Sequence, residues 1–462
     1  MSAQADTVII GGGIGGVALG ALLAAAGERV VLVEKNKIIG GRCLSYERDG
    51  FTVDLGVHLF GLGGKGPLGE VCRRAGEPDA IEWVLARNPR VAVHFRGVTR
   101  PFSRELMMEN VDKKNLGPLA NIFVKVMQMK NDELNGLWYV PLLDWLSRFT
   151  TEESVYANFA MLCGIYLCIT PDQASAAEFI LCLRGVMQAK SSSYPRGGCV
   201  AIPRAYQRII EKHGGEVRLG CPAQKIIIEE GRARGVTAGG ETIMARRVVS
   251  NADIKATVGG LAAAEHFPAD YVKRVQGLTY TAHVVALKVA LDTRITDQKM
   301  IMYMPDLSDE EIEELKKNYL EGRPMPYVAG GMLNSPTNFD PELAPPGHQL
   351  LFFGTRCERG QDWGRWETIM MEALEKMFPG VGRHVLWTTV DSPDVIDGFA
   401  GEDGNVIGVG QSVDQVHERR PAHETPVPGL YLCSAEAGGH GIGTELAASS
   451  ALELADKLIR KA

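Results

Sequence analysis

The chain begins with a compact β-branched run, Thr7-Val8-Ile9-Ile10, which reads as a strand. A glycine cluster, GGGIGG at 11–16, follows at once, and an Ala/Leu-rich helix is expected from about Ile14 to Ala26. ERVVLVE at 28–34 reads as a second strand that ends on Glu34. Further along, AIPRAYQRIIEKHGG at 201–215 has helical spacing and a glycine stop. The next stretch, 214–252, alternates strand-like runs with Gly turns, as a meander does. Between them, residues about 86–190 are mainly helical in pattern, after strand-like turns such as RVAVHFRG at 90–97. Residues about 261–420 mix both patterns: TYTAHVVALKVALD (279–292) is strand-like, and WGRWETIMMEALEKMFPG (363–380) is an amphipathic helix with a Pro-Gly stop. DLSDEEIEELKKNY (306–319) reads as an acidic, solvated helix on a surface lobe.

At 462 residues the chain exceeds one ordinary domain of ~100–200 residues. A net charge of -7 without a dense Lys/Arg run argues against a nucleic-acid partner. The cysteines number nine, are scattered and contain no Cys-x-x-Cys, so neither a disulfide framework nor a zinc site is expected. The reduced cytoplasm is the simplest compartment for such a set. The ten histidines show no metal-ligand spacing, and no metal is expected. MSAQADTVIIGGG lacks the basic region of a signal peptide, and VALGALLAAAG (17–27) is too short to span a bilayer. A soluble protein is expected; resting on a membrane surface stays open.

Strand, glycine loop, helix, second strand and terminal Glu together form a dinucleotide fingerprint. Gly11 gives the tight turn, Gly13 admits a pyrophosphate to the backbone, and Gly16 lets the helix pack on the strand. The helix N-terminus, around Ile14 and Gly15, offers unpaired N–H groups and a positive dipole end. Glu34 lies where a carboxylate accepts from ribose hydroxyls.

The run then continues as EKNKIIGGRC, 34–43. With Glu34, Lys35 and Gly40-Gly41-Arg42 in this order, the chain resembles the FAD-dependent flavin amine oxidase superfamily. The stretch YPRGGC…VVSNAD at 194–253 resembles its phytoene desaturase and carotenoid isomerase-like branch in particular. Blocks at 335–353 and 417–458 extend the resemblance to the C-terminus. It implies an α/β fold with α+β mixing: a Rossmann-type, glutathione reductase-like FAD domain with an inserted substrate domain of mixed sheet and helical lobe. The expected FAD domain is 1–85, 194–260 and 418–462; the substrate domain is 86–193 and 261–417, with 102–190 mainly a helical lobe.

The resemblance also implies contacts. Gly41 and Arg42 join the diphosphate site, Arg42 as a fixed planar cation. Ala223 meets the adenine; Gly197 and Gly198 pass close to flavin or substrate channel; Asn251 and Ala252 close the FAD domain near the first strand. Gly56, Val57 and His58, with Asp54, pass near the isoalloxazine ring. GGHGIGTE (438–445) points a helix N-terminus at the pyrimidine end, through the backbone of Gly441, Ile442, Gly443 and Thr444, with Thr444 as N-cap. Glu436 stands beside the position of the family's usual Gly-Asp acid and is the substitute for its ribityl contact. His440 and Glu445 are the nearest titratable groups to the ring; with His58 they are the catalytic candidates, against structural roles for each.

The Leu-, Met- and Cys-rich lobe suits either a packed helical core or an adaptable pocket for a flexible apolar ligand. GLWYVPLLDWL (136–146) suits either buried packing or a membrane surface. The implied reaction is hydride exchange between a C–H bond and flavin N5. It desaturates, saturates or isomerises a largely apolar, polyene- or terpenoid-like substrate, with oxygen, a quinone or another external carrier as electron partner. An amine or protoporphyrinogen-type oxidase and a non-catalytic flavin-binding protein are the alternatives. CSAEAGGHGIGTE (433–445) carries no aromatic residue, which disfavours the amine reading.

Overall fold

The computed structural model describes residues 5–56, 60–87, 91–109, 111, 113–321, 323–401 and 403–459. Its strands form two seven-stranded sheets and two small two-stranded ones. In the first large sheet, Ala5–Ile10 lies parallel to Val30–Val33 on one side and to Glu241–Ser250 on the other. Glu216–Arg218 extends one edge, and Leu430–Leu432 pairs with the C-terminal part of Glu241–Ser250. The meander Ala223–Glu229, Arg232–Ala238, Glu241–Ser250 completes it with antiparallel pairs.

Parallel strands buried on both faces need apolar runs and helical cover. Val30–Val33 is buried throughout, and helix Ile14–Ala25 is almost wholly apolar and buried. Helices Ala201–Lys212 and Gly443–Ile459 flank it and share its core with Leu32, Ile209, Ile210, Leu454 and Leu458. Gly16 allows the close entry of the first helix: a Cβ there would lie 2.2 Å from the Gly11 carbonyl oxygen.

The second large sheet runs Val385–Asp391, His283–Leu291, Gln349–Cys357, Gly331–Asn334, Met300–Tyr303, Ala92–Phe95, Val98–Pro101. Side chains alternate faces along each strand. One face, with Leu287, Val289, Ile301 and Phe353, packs under helix Trp363–Met377. The other face carries a row fixed by register: Asp391 pairs with Ala286, Ala286 with Gly354, Gly354 with Met332 and Met332 with Met302.

Opposite this row stand helices Leu116–Gln128, Glu153–Leu167 and Ala176–Ala189. Their common core includes Trp138, Trp145, Phe159 and Phe179. GLWYVPLLDWL therefore packs inward through Leu137, Trp138, Leu142, Trp145 and Leu146; of its large side chains Tyr139 is the exposed one. Among the described residues no helix is long and apolar enough to cross a membrane. The acidic helix Asp309–Leu320 is largely solvated, but its Leu315 is buried and lines a cavity together with the 37% exposed Ile312.

Candidate active site

The two loops read as diphosphate-binding lie side by side. Gly13 bridges Gly40 in a parallel pair, and the Gly40 N–H donates to the Gly12 carbonyl at 2.9 Å. Asn251 ties the first loop to the meander, its Oδ1 accepting from the Gly16 N–H at 2.9 Å. Ala252 follows against Gly11. Glu34 is buried at the end of its strand; its Oε2 accepts from the Gly12 N–H at 2.6 Å and its Oε1 from the Asn36 N–H at 2.8 Å. The Glu34 carbonyl accepts from Cys221 at 2.8 Å, which brings the segment entering Ala223 to the same edge. Lys35 is exposed beside this edge.

Arg42 is half-buried, and its fork bonds the Asn405 carbonyl at 2.8 Å and the Asn405 Oδ1 at 3.1 Å. Burial lowers its pKa, while Glu436 and Asp253 oppose that shift. Glu436 accepts from the Ile254 N–H at 2.8 Å; burial first, then Asp253, pushes its carboxyl up to about 8. It therefore sits in a closed cluster with Arg42, and Arg420 lies close enough to pull its pKa back down.

Arg42, Gly56 and the loop Ile442–Glu445 converge on one end of a cavity of about 1390 Å³. The cavity runs between the helical lobe and the row Asp391, Ala286, Gly354, Met332 and Met302. Its wall is overwhelmingly apolar and rich in methionine, including Met161, Met300 and Met304. Asp391 is ion-paired to Lys288, and both side chains are buried. Burial lowers the Lys288 amine pKa despite that partner.

The C-terminal helix starts at Gly443, so Thr444 lies inside its first turn instead of capping it. Glu445 turns into the protein. Its Oε1 accepts from the Leu62 N–H at 2.7 Å and the Gly63 N–H at 3.0 Å, and burial pushes the carboxyl up to about 7. His440 is held by Glu178, Nδ1 to Oε2 at 2.9 Å, and tilts over Trp138 at 5.3 Å between ring centroids. The Glu178 contact raises the His440 pKa. The Gly441 N–H donates to Glu178 Oε1 and the Gly441 carbonyl accepts from Gln411, each at 2.9 Å. Val57 and His58 lie outside the described residues. Gly198 approaches Ser45 and Asp54 within a buried polar cluster, and Gly197 donates to Asp340 at 2.8 Å; neither lines the cavity.

These features fit an extended dinucleotide reaching from Glu34 to the Ile442–Glu445 loop. Gly13 and Gly41 present bare backbone side by side, so closely that an added Gly41 Cβ would lie 3.3 Å from Gly13 Cα. A Cβ at Gly443 would meet nothing within 4 Å, so that end is open toward the cavity.

The sequence pattern of the family described as flavin containing amine oxidoreductase matches residues 14–459. The chain belongs to this family. It is an FAD-dependent oxidoreductase. Within the flavin amine oxidoreductases it resembles prolycopene isomerase from Daucus carota, 25% identical over 488 aligned positions that cover 93% of this chain and 76% of that protein. The zeta-carotene-forming phytoene desaturase of Myxococcus xanthus is 28% identical over 377 positions, covering 75% and 71%. A solved oxidoreductase from Methanosarcina mazei shares the fold, with TM-score 0.75, 23% identity and coverage of 97% of this chain and 99% of that one. The residues at the site that sequence reading missed are Glu178, Gln411, Asn405 and the Lys288–Asp391 pair. Each meets the site through contacts far apart in the chain: Glu178 lies 262 residues from His440.

Proposed function

We propose that the protein exchanges hydrogen at CH–CH bonds of a long, apolar, polyene- or terpenoid-like substrate: a desaturase, saturase or isomerase. The single observation that carries this is the methionine-lined cavity of about 1390 Å³ ending at Arg42 and Glu445. A cavity of that size exceeds the ~300–1,000 Å³ of ordinary small-ligand sites. Thioether side chains adapt to the bends of a flexible apolar chain. The two carotenoid-acting relatives support the same substrate class.

The first sheet with its helices serves as the FAD domain and the second sheet with the lobe as the substrate domain. Bound FAD supplies two-electron hydride chemistry. Gly11, Gly13, Ile14, Gly15 and Gly16 hold the diphosphate with Gly41 and Arg42, Glu34 the ribose, and Ala223 the adenine edge. Asn251 and Ala252 brace the loop. Gly441, Ile442, Gly443 and Thr444 border the pyrimidine end through their backbone, and Gly56 the ring. Glu436 orients Arg42 from behind. The apolar wall excludes water from the reacting carbons. An external carrier, a quinone or oxygen closes the electron balance. The last loop contributes Ile442, Gly443, Thr444 and Glu445 to the cavity and no aromatic, which sets the site apart from an aromatic-framed amine site.

The test is product analysis. Purified protein should carry yellow FAD, and incubation with a panel of apolar polyenes should change one by two hydrogens or into a geometric isomer. Turnover confined to amines or porphyrinogens overturns the reading.

A further inference from the structure

Glu445 stands where the glycine loop meets the cavity and is 2% exposed. One carboxyl oxygen is fixed by two backbone N–H groups, from Leu62 and Gly63. The other, Oε2, is buried and has no hydrogen-bond partner among the described residues. A Cβ added to Gly61, itself on the cavity wall, would lie 4.0 Å from it. A buried, unpartnered carboxyl oxygen costs stability, so its retention at the reacting end of an apolar cavity asks for a chemical reason.

A buried acid that turns over needs a route to water. Behind Glu445 lies helix Ala176–Ala189, with Cys182 and Glu178 one turn apart on one face. Cys182 lies within the field of both Glu178 and Glu445, and its Sγ is 3.9 Å from Glu178 Oε1. Glu178 is wholly buried, and its Oε2 meets His440 Nδ1 at 2.9 Å. The His440 side chain is 43% exposed and reaches solvent. Arg420 and Glu453 face His440 from behind the loop, with opposite effects on its charge. His440, Glu178 and Cys182 thus run in contact from solvent toward Glu445, whose Oε2 makes no hydrogen bond among the described residues.

We propose that Glu445 is the acid–base residue of the reaction and exchanges its proton with solvent through Glu178 and His440. This rests on the polyene reading of the cavity. In the desaturating direction, bound FAD would supply the two-electron acceptor for the hydride that one substrate C–H bond loses. The neighbouring C–H breaks, its electron pair becomes the new C=C, and its proton goes to the Glu445 carboxylate. Glu178 accepts that proton in turn, and His440 releases it to water. In the saturating direction, reduced FAD would supply the hydride, and Glu445 gives its proton to the neighbouring carbon. A carboxyl raised to about 7 by burial is matched to giving and taking protons near neutrality.

The test uses FAD-loaded E445Q, E178Q and H440A proteins. Because Glu178 also holds the Gly441 N–H, E178Q is paired with H440A, which leaves that bond intact. Infrared spectra of the wild type should show a carboxylic-acid band that titrates near neutrality and is missing in E445Q. In deuterated water that band should exchange at least tenfold more slowly in E178Q and H440A, and added imidazole should restore the rate in H440A. Flavin reduction by substrate should slow about a hundredfold in E445Q while FAD stays bound. An unchanged band in E445Q, or wild-type exchange rates in both E178Q and H440A, overturns the proposal. If no polyene reduces or reoxidises the wild-type flavin and none is isomerised, the substrate reading falls, and the infrared exchange still decides the relay by itself.

Discussion

Replacing Glu445 by Gln should change how stability depends on pH, and by an amount the structure sets. Burial raises this carboxyl from the ordinary 4.5 to about 7, against the opposing pull of the Leu62 and Gly63 N–H groups. Among the described residues no ion pair offsets that burial. The folded protein therefore holds a proton that the unfolded chain releases between those two values. The stability linked to that proton is fully present below 4.5, falls as pH rises, and is gone above about 7. At about 1.4 kcal/mol per pH unit, the loss amounts to about 3 kcal/mol. Gln keeps the shape and the acceptor for Leu62 and Gly63 but cannot ionise. Urea unfolding of both proteins at equal FAD occupancy, from pH 4.5 to 8.5, isolates the group by difference. E445Q should gain about 3 kcal/mol on the wild type across that range, with the change complete just above neutrality. A pH-independent difference would refute the claim that Glu445 is buried without a charge partner.

Three further outcomes are expected. D391N should cost about 3–5 kcal/mol, because it strands the buried Lys288 ammonium. Thermal melts should show the cost shrinking as rising pH neutralises Lys288, and K288M/D391N should recover most of it. G16A should weaken FAD binding by at least tenfold in a fluorescence titration, since its Cβ would meet the Gly11 carbonyl at 2.2 Å and displace the loop. M302W, at the centre of the cavity row, should slow polyene-driven flavin reduction at least tenfold and leave the FAD spectrum intact.

The nucleotide end was readable because its signal is local. Thr7 to Glu34 is a strand, a loop, a helix and a strand in direct succession, and each has its own period or glycine. The cavity is not local. Ala286, Gly354, Met332 and Met302 become neighbours only through strand register, and residues 286 to 354 are separate in the chain. A partial signal was present in Met300, Met302 and Met304, spaced by two as one strand face requires. Ile312 and Leu315 likewise marked the cavity side of a helix whose five acids dominated its appearance. Thr444 was misplaced by two residues at a helix end, where boundaries are softest. Glu178 gave no sign at all. Its partner His440 reaches it because the C-terminal loop folds back on the lobe, a contact made by tertiary packing alone.

The central claim is that the cavity delivers an apolar polyene to the flavin. Anaerobic rapid mixing of the FAD-loaded protein with polyenes and with primary amines, followed by flavin absorbance, tests it most directly. A polyene should change the oxidation state of the flavin, bleaching oxidised FAD or recolouring reduced FAD, and amines should leave it unchanged. Bleaching by amines alone, with polyenes inert in both directions, would contradict it.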